Sequence, residues 1–489
     1  MKGNERRRLS TGIEGLDEIL SGGLIPGRSY MLTGDPGTGK TILGLQFLET
    51  GANHDESVLC INLEEGTADI EQNARAVDVD TEGIEFLDLS PGEDTFAQEQ
   101  SYDIFEPAQV EFGSYADRIV ELVTEHEPTR VFIDPITQLR HLSPDPYQFK
   151  KQVLSFMEFL HQYESTVLFT SQSTSEFTDD DLHFICDGSI RVTRSPHGRR
   201  ISVPKFRGSE TTSGTHAMRI HESGTTVFPA LNPGEHQREY SEEQVSSGIP
   251  EIDELLHGGL ERGSVTVISG PTGVGKTTSG TQFMKEAAGR GEHSVIYLFE
   301  EAKETFAQRS EAINIPVSDM LDRGTLSVTQ VETLTVSPEE FARDVRTQVE
   351  EHDAKIVMLD GISGYRMTVR GEELAILQEM QALCRYLTNM GVTVVLVDEI
   401  SQVTGEFQAT DTGLSYIADN IIFLRHIELN GELRKVIGVL KKRLSDFEHS
   451  LREFEITKNG IKVGDPMTGI RGILQGAPVQ TSPEVRDDV

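Results

Sequence analysis

The chain has 489 residues, which is too many for one hydrophobic core, so two or three domains are expected. It carries 44 Lys and Arg against 80 Asp and Glu, a formal net charge of 44 − 80 = −36 at pH 7. The scarcity of basic residues argues against nucleic acid as a partner, because phosphate contacts need Lys and Arg. The charge indicates adaptation to concentrated salt, where the Debye length falls to about 3 Å at 1 M, rather than repulsion of acidic ligands.

Targeting and redox features favour the cytoplasm. No run of roughly 18 apolar residues predicts a transmembrane helix, and the basic start MKGNERRRLS lacks the apolar region of a secretory signal. The three cysteines, Cys60, Cys186 and Cys384, form no CxxC pair, which argues against a disulfide framework or a zinc site. We therefore expect a cytoplasmic protein without a membrane partner.

An internal repeat organises the chain. The sequence TGIEGLDEILSGGLIPGRSYMLTGDPGTGKT, from Thr11, recurs from Ser247 as SGIPEIDELLHGGLERGSVTVISGPTGVGKT. A constant offset of 276 − 40 = 236 residues relates Asp17 to Asp253, Gly22–Leu24 to Gly258–Leu260, Lys40 to Lys276 and Glu64–Glu65 to Glu300–Glu301. An offset kept over so long a stretch indicates duplicated domains rather than short solenoid repeats.

The domain limits follow from the repeat and from composition. The stretch LNPGEHQREYS, residues 231–241, has Pro, Gly and charge without an apolar period, which is typical of a linker. We expect a first domain over residues 1–234, a linker over 235–241 and a second domain over 242–464. Residues 465–489, rich in Gly, Pro, Asp and Ser, are predicted to form a flexible C-terminal tail.

The predicted elements alternate along each copy. In the first copy, SYMLTG, SVLCINL, RVFIDPI and STVLFTS are apolar runs typical of buried strands, and YADRIVELVTEHE and FKKQVLSFMEFLHQYE have helical periodicity. The second copy repeats the strands as SVTVISG, SVIYLFE, KIVMLD and VTVVLVD. Alternation of this kind predicts an α/β fold in which a mostly parallel β-sheet is flanked by helices on both faces.

Both copies contain the GxxxxGK[ST] pattern of a P-loop, between an apolar strand and a helical pattern. Its glycines let backbone N–H groups surround phosphates, and the following helix N-terminus adds positive potential. Lys40 and Lys276 are expected to reach the terminal phosphates. The predicted ATP-binding residues are Gly34, Gly37, Thr38, Gly39, Lys40, Thr41 and Ile42 in the first copy and Gly270, Gly273, Val274, Gly275, Lys276, Thr277 and Thr278 in the second.

Each copy also supplies ligands for Mg²⁺, the expected cofactor of ATP. The P-loop hydroxyls of Thr41 and Thr277 are candidate ligands, and Asp134 and Asp360 end the strands RVFID and KIVMLD. An acid at the carboxyl end of such a strand is the Walker-B position, which holds the metal ion.

Paired acids follow the second strand of each copy, as Glu64–Glu65 and Glu300–Glu301. Adjacent acids repel, which tends to raise one pKa and suits a base that aligns and deprotonates an attacking water or hydroxyl. We predict these four residues to be catalytic.

The tripeptides Lys205-Phe-Arg207 and Lys441-Lys-Arg443 occupy matched positions late in each copy. In oligomeric P-loop ATPases a cation from the neighbouring subunit often stabilises charge on the γ-phosphate. We therefore predict Lys205, Arg207, Lys441 and Arg443 to contact ATP in trans.

The tandem copies, the GGL turn before each P-loop, the paired Glu and the late K-x-R resemble the KaiC family of RecA-superfamily ATPases over about residues 10–465. The resemblance implies two tandem RecA-like P-loop NTPase domains. It also implies a two-tiered homo-oligomeric ring, usually a hexamer, with ATP at the subunit interfaces, and regulatory protein partners that the sequence does not identify.

The family resemblance also implies a phosphoacceptor region in the second domain, which corresponds to TDTGLSYIADNIIFL. Ser415 falls on the family's acceptor Ser, whereas Tyr416 stands where the acceptor Thr would be, and Thr410 lies nearby. Ser445 follows Arg443-Leu444, where the family has Gly and then Ser or Thr. The first copy has His183-Phe184 at the acceptor positions, so no acceptor is expected there.

Three functions fit these observations. The first is a KaiC-like signalling ATPase, possessing slow hydrolysis and serine/threonine autokinase activity centred on Ser415, in signal transduction or clock-like regulation. The second is a DNA-dependent ATPase of the recombinase or helicase type, which would need cationic loops lining a pore. The third is a regulator that uses ATP only to assemble, against which the intact Lys, Mg²⁺ ligands and Glu pairs argue.

Overall fold

The structure is a computed structural model that describes residues 7–90, 107–143, 145–172, 179–195, 198–332, 336–368, 373–400, 414–429, 431–468, 470–471 and 479–480. The chain divides into two compact units, Met1–Ala230 and Leu231–Val489. Within the described residues, no helix combines the length and the apolar character needed to cross a membrane.

The first unit alternates strands and helices along the chain before it ends in consecutive strands. Its described helices are α1 Glu14–Ile19, α2 Lys40–Ala52, α3 Thr67–Arg75, α4 Pro107–His126, α5 Pro146–Gln162 and α6 Asp180–Ile185. Its described strands are β1 Ser29–Thr33, β2 Val58–Asn62, β3 Glu85–Asp88, β4 Arg130–Asp134, β5 Thr166–Ser171, β6 Gly188–Ser195, β7 Gly198–Phe206, β8 Thr215–His221 and β9 Gly224–Phe228. A 3-10 helix, Ile136–Arg140, follows β4.

These strands form one sheet in the order β3-β2-β4-β5-β1-β6-β7-β8-β9. The pairs from β3 to β6 are parallel, whereas β6 to β9 continue as an antiparallel meander. Strands β1, β2 and β5 are buried along their whole length, as expected for parallel strands covered on both faces. The carboxyl ends of the parallel strands therefore meet at one edge of the sheet.

The second unit repeats this plan. Its described helices are α7 Pro250–Leu255, α8 Lys276–Gly289, α9 Lys303–Glu311, α10 Val317–Asp322, α11 Pro338–Glu350, α12 Ile362–Thr368 and α13 Glu373–Asn389, with 3-10 helices at Pro233–Glu235 and Leu414–Tyr416. Its described strands are β10 Gln244–Val245, β11 Leu260–Glu261, β12 Val265–Gly270, β13 Ser294–Leu298, β14 Leu326–Gln330, β15 Ile356–Asp360, β16 Thr393–Glu399, β17 Asn420–Leu429, β18 Glu432–Lys442, β19 Arg452–Thr457, β20 Gly460–Pro466, β21 Ile470–Arg471 and β22 Val479–Gln480.

The main sheet of the second unit has the order β14-β13-β15-β16-β12-β17-β18-β19-β20, which matches the first sheet strand for strand. It is likewise parallel from β14 to β17 and antiparallel beyond. The predicted fold class, two tandem RecA-like α/β domains with mostly parallel sheets, is confirmed. The antiparallel extension of each sheet was not predicted from the sequence.

The aspartate in the short helix before each GGL turn, Asp17 in α1 and Asp253 in α7, has a structural role in both units. Asp17 accepts hydrogen bonds from the Ser10 hydroxyl, at 2.6 Å, and from the Thr11 N–H, at 2.8 Å. Asp253 makes the same two contacts with Ser246 and Ser247, at 2.6 and 2.8 Å. These bonds fix the chain where it enters the short helix before each P-loop strand.

The helix after each P-loop packs tightly on the Walker-B strand. A Cβ atom added to Gly44 in α2 would lie 2.1 Å from ring atoms of Phe132 in β4. Its counterpart Gly280 in α8 would place a Cβ atom 2.5 Å from the sulfur of Met358 in β15. Glycine at these positions therefore allows the helix to approach the strand that carries the predicted metal ligand.

The segment predicted as a linker, residues 231–241, lies within the second unit and contacts α13. The Arg238 N–H donates to the carbonyl of Asn389 in α13, at 3.0 Å, and the Asn389 amide donates to Pro233 O, at 2.8 Å. The Arg238 guanidinium also pairs with Asp353 at 2.8 Å.

The residues predicted as a tail are described only in part. Strand β20 extends to Pro466, and β21 pairs antiparallel with β22. Residues 469, 472–478 and 481–489 lie outside the described residues.

We expect Gly44→Ala to lower the free energy of unfolding of the first unit by about 1–3 kcal/mol, because overpacking against Phe132 exceeds the helix propensity gained. Gly113→Ala in α4 is the matched control, since an added Cβ there meets nothing within 4 Å. It should be neutral or stabilise by up to about 1 kcal/mol. Urea unfolding followed by circular dichroism measures both, and an unchanged or raised midpoint for Gly44→Ala would contradict the close packing.

Candidate functional site

Each P-loop joins a central strand to the helix that follows it, at the carboxyl edge of the sheet. Gly39 has φ +102° and is the N-cap of α2, which begins at Lys40, and Gly275 has φ +117° before α8. Only glycine adopts this left-handed conformation readily. The conformation turns backbone N–H groups of the loop toward the space above the helix N-terminus. Thr38 and Val274 are buried, so their side chains face the protein, and Ile42 and Thr278 lie in the first helical turns.

The P-loop lysines fold back over their own loops. The Lys40 amine donates to the carbonyls of Gly34, at 2.8 Å, and Asp35, at 3.1 Å. The Lys276 amine donates to the equivalent carbonyls of Gly270 and Pro271, at 2.8 and 2.9 Å. Burial lowers the pKa of both amines, while nearby carboxylates oppose that shift. A cation held in this way is positioned for a charged ligand seated in the loop.

The predicted metal ligands meet in both units. The Thr41 hydroxyl donates to the Asp134 carboxylate at 2.6 Å, and the Thr277 hydroxyl donates to Asp360 at 3.0 Å. Asp134 and Asp360 are the last residues of β4 and β15. Hydroxyl and carboxylate oxygens are hard ligands, so these pairs fit Mg²⁺.

The surroundings of the two aspartates differ. In the first unit, Thr170 of β5 donates a second hydrogen bond to Asp134. Val397 occupies the equivalent position in β16 and has no hydroxyl to donate to Asp360. Burial raises the pKa of both carboxyls, and that of Asp360 reaches about 6.

The two members of each Glu pair point in different directions. Glu64 accepts a hydrogen bond from Gln172, and its charge acts on Lys40. Glu65 instead hydrogen-bonds Asn73 of α3. Desolvation raises the pKa of Glu65, and the charges of Asp134 and Glu64 add to the shift, so burial outweighs the repulsion predicted between the neighbours.

The second Glu pair is divided in the same way. Glu301 forms an ion pair with Arg309 of α9 at 2.7 Å. Glu300 lies against Gly361, the residue after Asp360, and its charge acts on Lys276. Glu64 and Glu300 are therefore the members of the two pairs that face the P-loop lysines.

The lysines predicted to act in trans contact carbonyls of their own chain. The Lys205 amine donates to His183 O at 2.5 Å and Cys186 O at 2.6 Å, at the end of α6. The Lys441 amine donates to Ser415 O at 2.8 Å and Ala418 O at 2.6 Å. Burial lowers the pKa of Lys441.

The arginines of the two tripeptides are exposed. The Arg443 guanidinium pairs with Asp419 at 3.1 Å. Lys442, between Lys441 and Arg443, is buried in a strand and forms an ion pair with Glu261 at 2.9 Å. The KKR sequence is therefore not a basic loop of the kind that the DNA-dependent reading requires.

Ser415 lies in the 3-10 helix Leu414–Tyr416 and is exposed, as is Tyr416. The corresponding His183-Phe184 of the first unit lies in α6. The Ser445 hydroxyl donates to Glu261 at 2.7 Å. Thr410, the other candidate acceptor, lies outside the described residues.

Two further basic residues contact the P-loops and were missed from the sequence. Lys435 of β18 donates to the carbonyl of Gly273 at 3.0 Å, and Arg199 of β7 lies 3.5 Å from that of Gly37. Both pairs keep the offset of 236 residues (435 − 199 = 236), so the repeat contained the signal.

A cavity of ≈ 990 Å³ lies in the first unit. It is lined by residues 76–78, after α3, and residues 220–223, at the turn between β8 and β9. Its lining residue Ile220 also faces the P-loop, because a Cβ atom on Gly39 would lie 2.4 Å from its side chain. Ile220 is therefore in contact with both the cavity and the glycine that precedes α2.

The fold and these sites define a protein with two tandem P-loop nucleotide-binding domains of the RecA type. The profile of the family described as "ATPase: KaiC" matches residues 9–232 and 245–468, and the chain belongs to this family.

The relatives found by sequence comparison align with almost the whole chain. The circadian clock oscillator protein KaiC of Prochlorococcus marinus is 27% identical, over 98% of this chain and 96% of its own length. The protein of the same name from Parasynechococcus marenigrum is 25% identical, over 99% and 95%. The circadian clock protein KaiC3 of Synechocystis is 27% identical, over 97% and 95%.

We expect Lys441→Met to loosen the turn at residues 414–418, because the Ser415 and Ala418 carbonyls lose their shared donor. The Ile417 and Ala418 amides, which donate to Leu414 O, should exchange with solvent about tenfold faster. Lys462→Met, at an exposed position of β20, is the control and should leave them unchanged. Hydrogen–deuterium exchange measures both, and equal exchange in the two variants would contradict this role.

Proposed function

We propose that the chain is a KaiC-like ATPase that binds Mg²⁺ and ATP at both P-loops and hydrolyses ATP slowly, in signal transduction or clock-like regulation. One observation carries this proposal. In both units a P-loop lysine, a Thr–Asp pair and one acid of the Glu pair lie together at the carboxyl edge of the sheet. Both sites are therefore equipped for catalysis rather than for assembly alone. The names of the relatives support the regulatory role.

In each site, different groups would bind the phosphates, the Mg²⁺ ion and the nucleoside. The P-loop N–H groups and the amine of Lys40 or Lys276 hold the phosphates. Thr41 with Asp134, and Thr277 with Asp360, would hold Mg²⁺, which neutralises charge developing on the phosphates when it is bound. In the first unit, the cavity at residues 76–78 and 220–223 has room for the nucleoside.

Glu64 and Glu300 are the proposed bases. A carboxylate at this position aligns the attacking water and accepts its proton as the water oxygen bonds to the γ-phosphorus and the bond to the β–γ bridging oxygen breaks, which releases ADP and phosphate. Glu65 and Glu301, although also predicted to be catalytic, face Asn73 and Arg309, so we assign them a supporting role in holding the loop.

The trans contacts belong to a ring, which we propose to be a homohexamer. Arg207 and Arg443 are exposed and could meet ATP of a neighbouring subunit. The Arg443–Asp419 ion pair is a weak obstacle, because exposed pairs contribute only about 0–1 kcal/mol. Lys205 and Lys441 would have to leave two carbonyls each to act in the same way.

We also propose autokinase activity at Ser415. The residue is exposed, and its backbone carbonyl accepts a hydrogen bond from Lys441. An exposed side chain at this position can be reached by the nucleotide of a neighbouring subunit.

The deciding experiment incubates purified protein with γ-labelled ATP and Mg²⁺ in concentrated KCl, with and without single-stranded DNA. Free phosphate and label on the protein are followed together. We expect phosphate release that DNA leaves unchanged, and label that Ser415→Ala removes but Tyr416→Phe retains.

Variants of the P-loop lysines assign the sites. Lys40→Ala and Lys276→Ala should each abolish nucleotide binding in one unit, and the double variant in both, because each lysine serves its own loop. Lys458→Ala, exposed between β19 and β20, is the control. Stoichiometric ATP binding by the double variant would refute the site assignment, and several-fold stimulation by DNA without protein label would favour the recombinase function.

Ring assembly should require ATP, because both subunits of an interface would contact it. Sedimentation velocity should show a hexamer with ATP and smaller species without it, and Arg207→Ala with Arg443→Ala should weaken assembly. Arg323→Ala, an exposed arginine of the second unit, serves as the control. A monomer at saturating ATP would contradict the trans contacts.

A further inference from the structure

The residue that follows the strand beside the P-loop strand differs between the two sites. In the first unit this residue is Gln172, which comes directly after β5. Strand β5 pairs with β1 so that Ser171 lies opposite Thr33, which places Gln172 beside the start of the P-loop. Its Nε2 donates to Oε2 of Glu64 at 3.1 Å.

In the second unit the equivalent residue is Glu399, which lies opposite Gly270, the first residue of the P-loop. Its carboxylate accepts a hydrogen bond from the hydroxyl of Thr272 within that loop. Among the carboxylates whose charge raises the pKa of Lys276, against the larger lowering by burial, Glu399 has the largest effect.

The P-loops differ at the matching position. Thr272 corresponds to Pro36, since 272 − 236 = 36, and proline has no side-chain donor. The first loop therefore has no hydroxyl at this position, and Gln172 donates to Glu64. Glu399 accepts the hydrogen bond of the Thr272 hydroxyl, and unlike a glutamine it has no amide N–H to donate to Glu300.

We propose that Gln172 is a positioning residue that orients Glu64 for hydrolysis, and that the second site lacks this contact because Glu399 is bonded to its P-loop. The inference rests on the proposed function, in which Glu64 is the base. An amide donor on one carboxylate oxygen fixes the direction of the other, which is the oxygen left to align water. The hydrogen bond acts on the reactive geometry and not on the nucleotide.

The test measures steady-state ATP hydrolysis by the full chain in a Lys276→Ala background, which confines activity to the first site. Gln172→Met keeps the length of the side chain and removes its donor. We expect kcat to fall about tenfold while KM for ATP stays within about twofold, as for a lost charge-assisted hydrogen bond. Gln172→Glu, which places a like charge against Glu64, should lower kcat further with KM again unchanged.

Two comparisons separate positioning from a structural effect. Gln237→Met makes the same chemical change at an exposed residue outside both sites and should leave both constants unchanged. In a Lys40→Ala background, Glu399→Gln restores a donor beside Glu300 and should raise the kcat of the second site several-fold. An unchanged or lower kcat for Glu399→Gln would overturn the contrast between the sites.

The failure of this inference differs from the failure of the proposed function. If the Lys276→Ala parent releases phosphate and Gln172→Met matches it in kcat, Gln172 does not position Glu64. A loss confined to KM would also overturn the inference, because it would assign Gln172 to nucleotide binding. If the parent chain with both P-loop lysines intact releases no phosphate with Mg²⁺ and ATP, it is the ATPase proposal that fails.

Discussion

The hydrogen bond from the P-loop threonine to the strand-terminal aspartate joins the two halves of each site. Thr41 belongs to the helix after β1, whereas Asp134 ends β4, and β5 lies between these two strands. The bond is possible because parallel strands finish at the same edge of a sheet. The P-loop lysine, the Glu pair and the phosphate-binding loop all lie around this hydrogen bond. Thr277 and Asp360 repeat the arrangement in the second unit.

Around this shared frame the two copies have diverged in the residues that support the reactive groups. The first copy surrounds its carboxylates with neutral donors, Thr170 at Asp134 and Gln172 at Glu64. The second copy has Val397 and Glu399 at the same places, so its carboxylates have fewer donors and an additional charged neighbour. Identical motifs thus sit in different electrostatic surroundings.

The sequence was sufficient for the features that depend on short stretches of chain. The P-loops, the buried strands and the aspartates that end them were predicted, because each is written in consecutive residues and appears twice. The antiparallel strands were missed since β7 and β8 are partly exposed and mix polar with apolar residues. The contacts of Lys205 with His183 and the opposed directions of Glu64 and Glu65 depend on tertiary packing, which no local pattern encodes.

The close approach of Gly44 to Phe132 also affects which strands the two domains could exchange. Gly280 occupies the same place in the second copy, but the residue that faces it is Met358 rather than an aromatic ring, so the two copies differ in one partner of the contact. The thioether of Met358 and the ring of Phe132 fill equivalent spaces with different shapes. The flexible methionine side chain adapts more readily to a substitution beside it than the rigid ring does. A chimera that carries β4 in place of β15 would therefore set a rigid ring against Gly280, where the second domain has a flexible thioether.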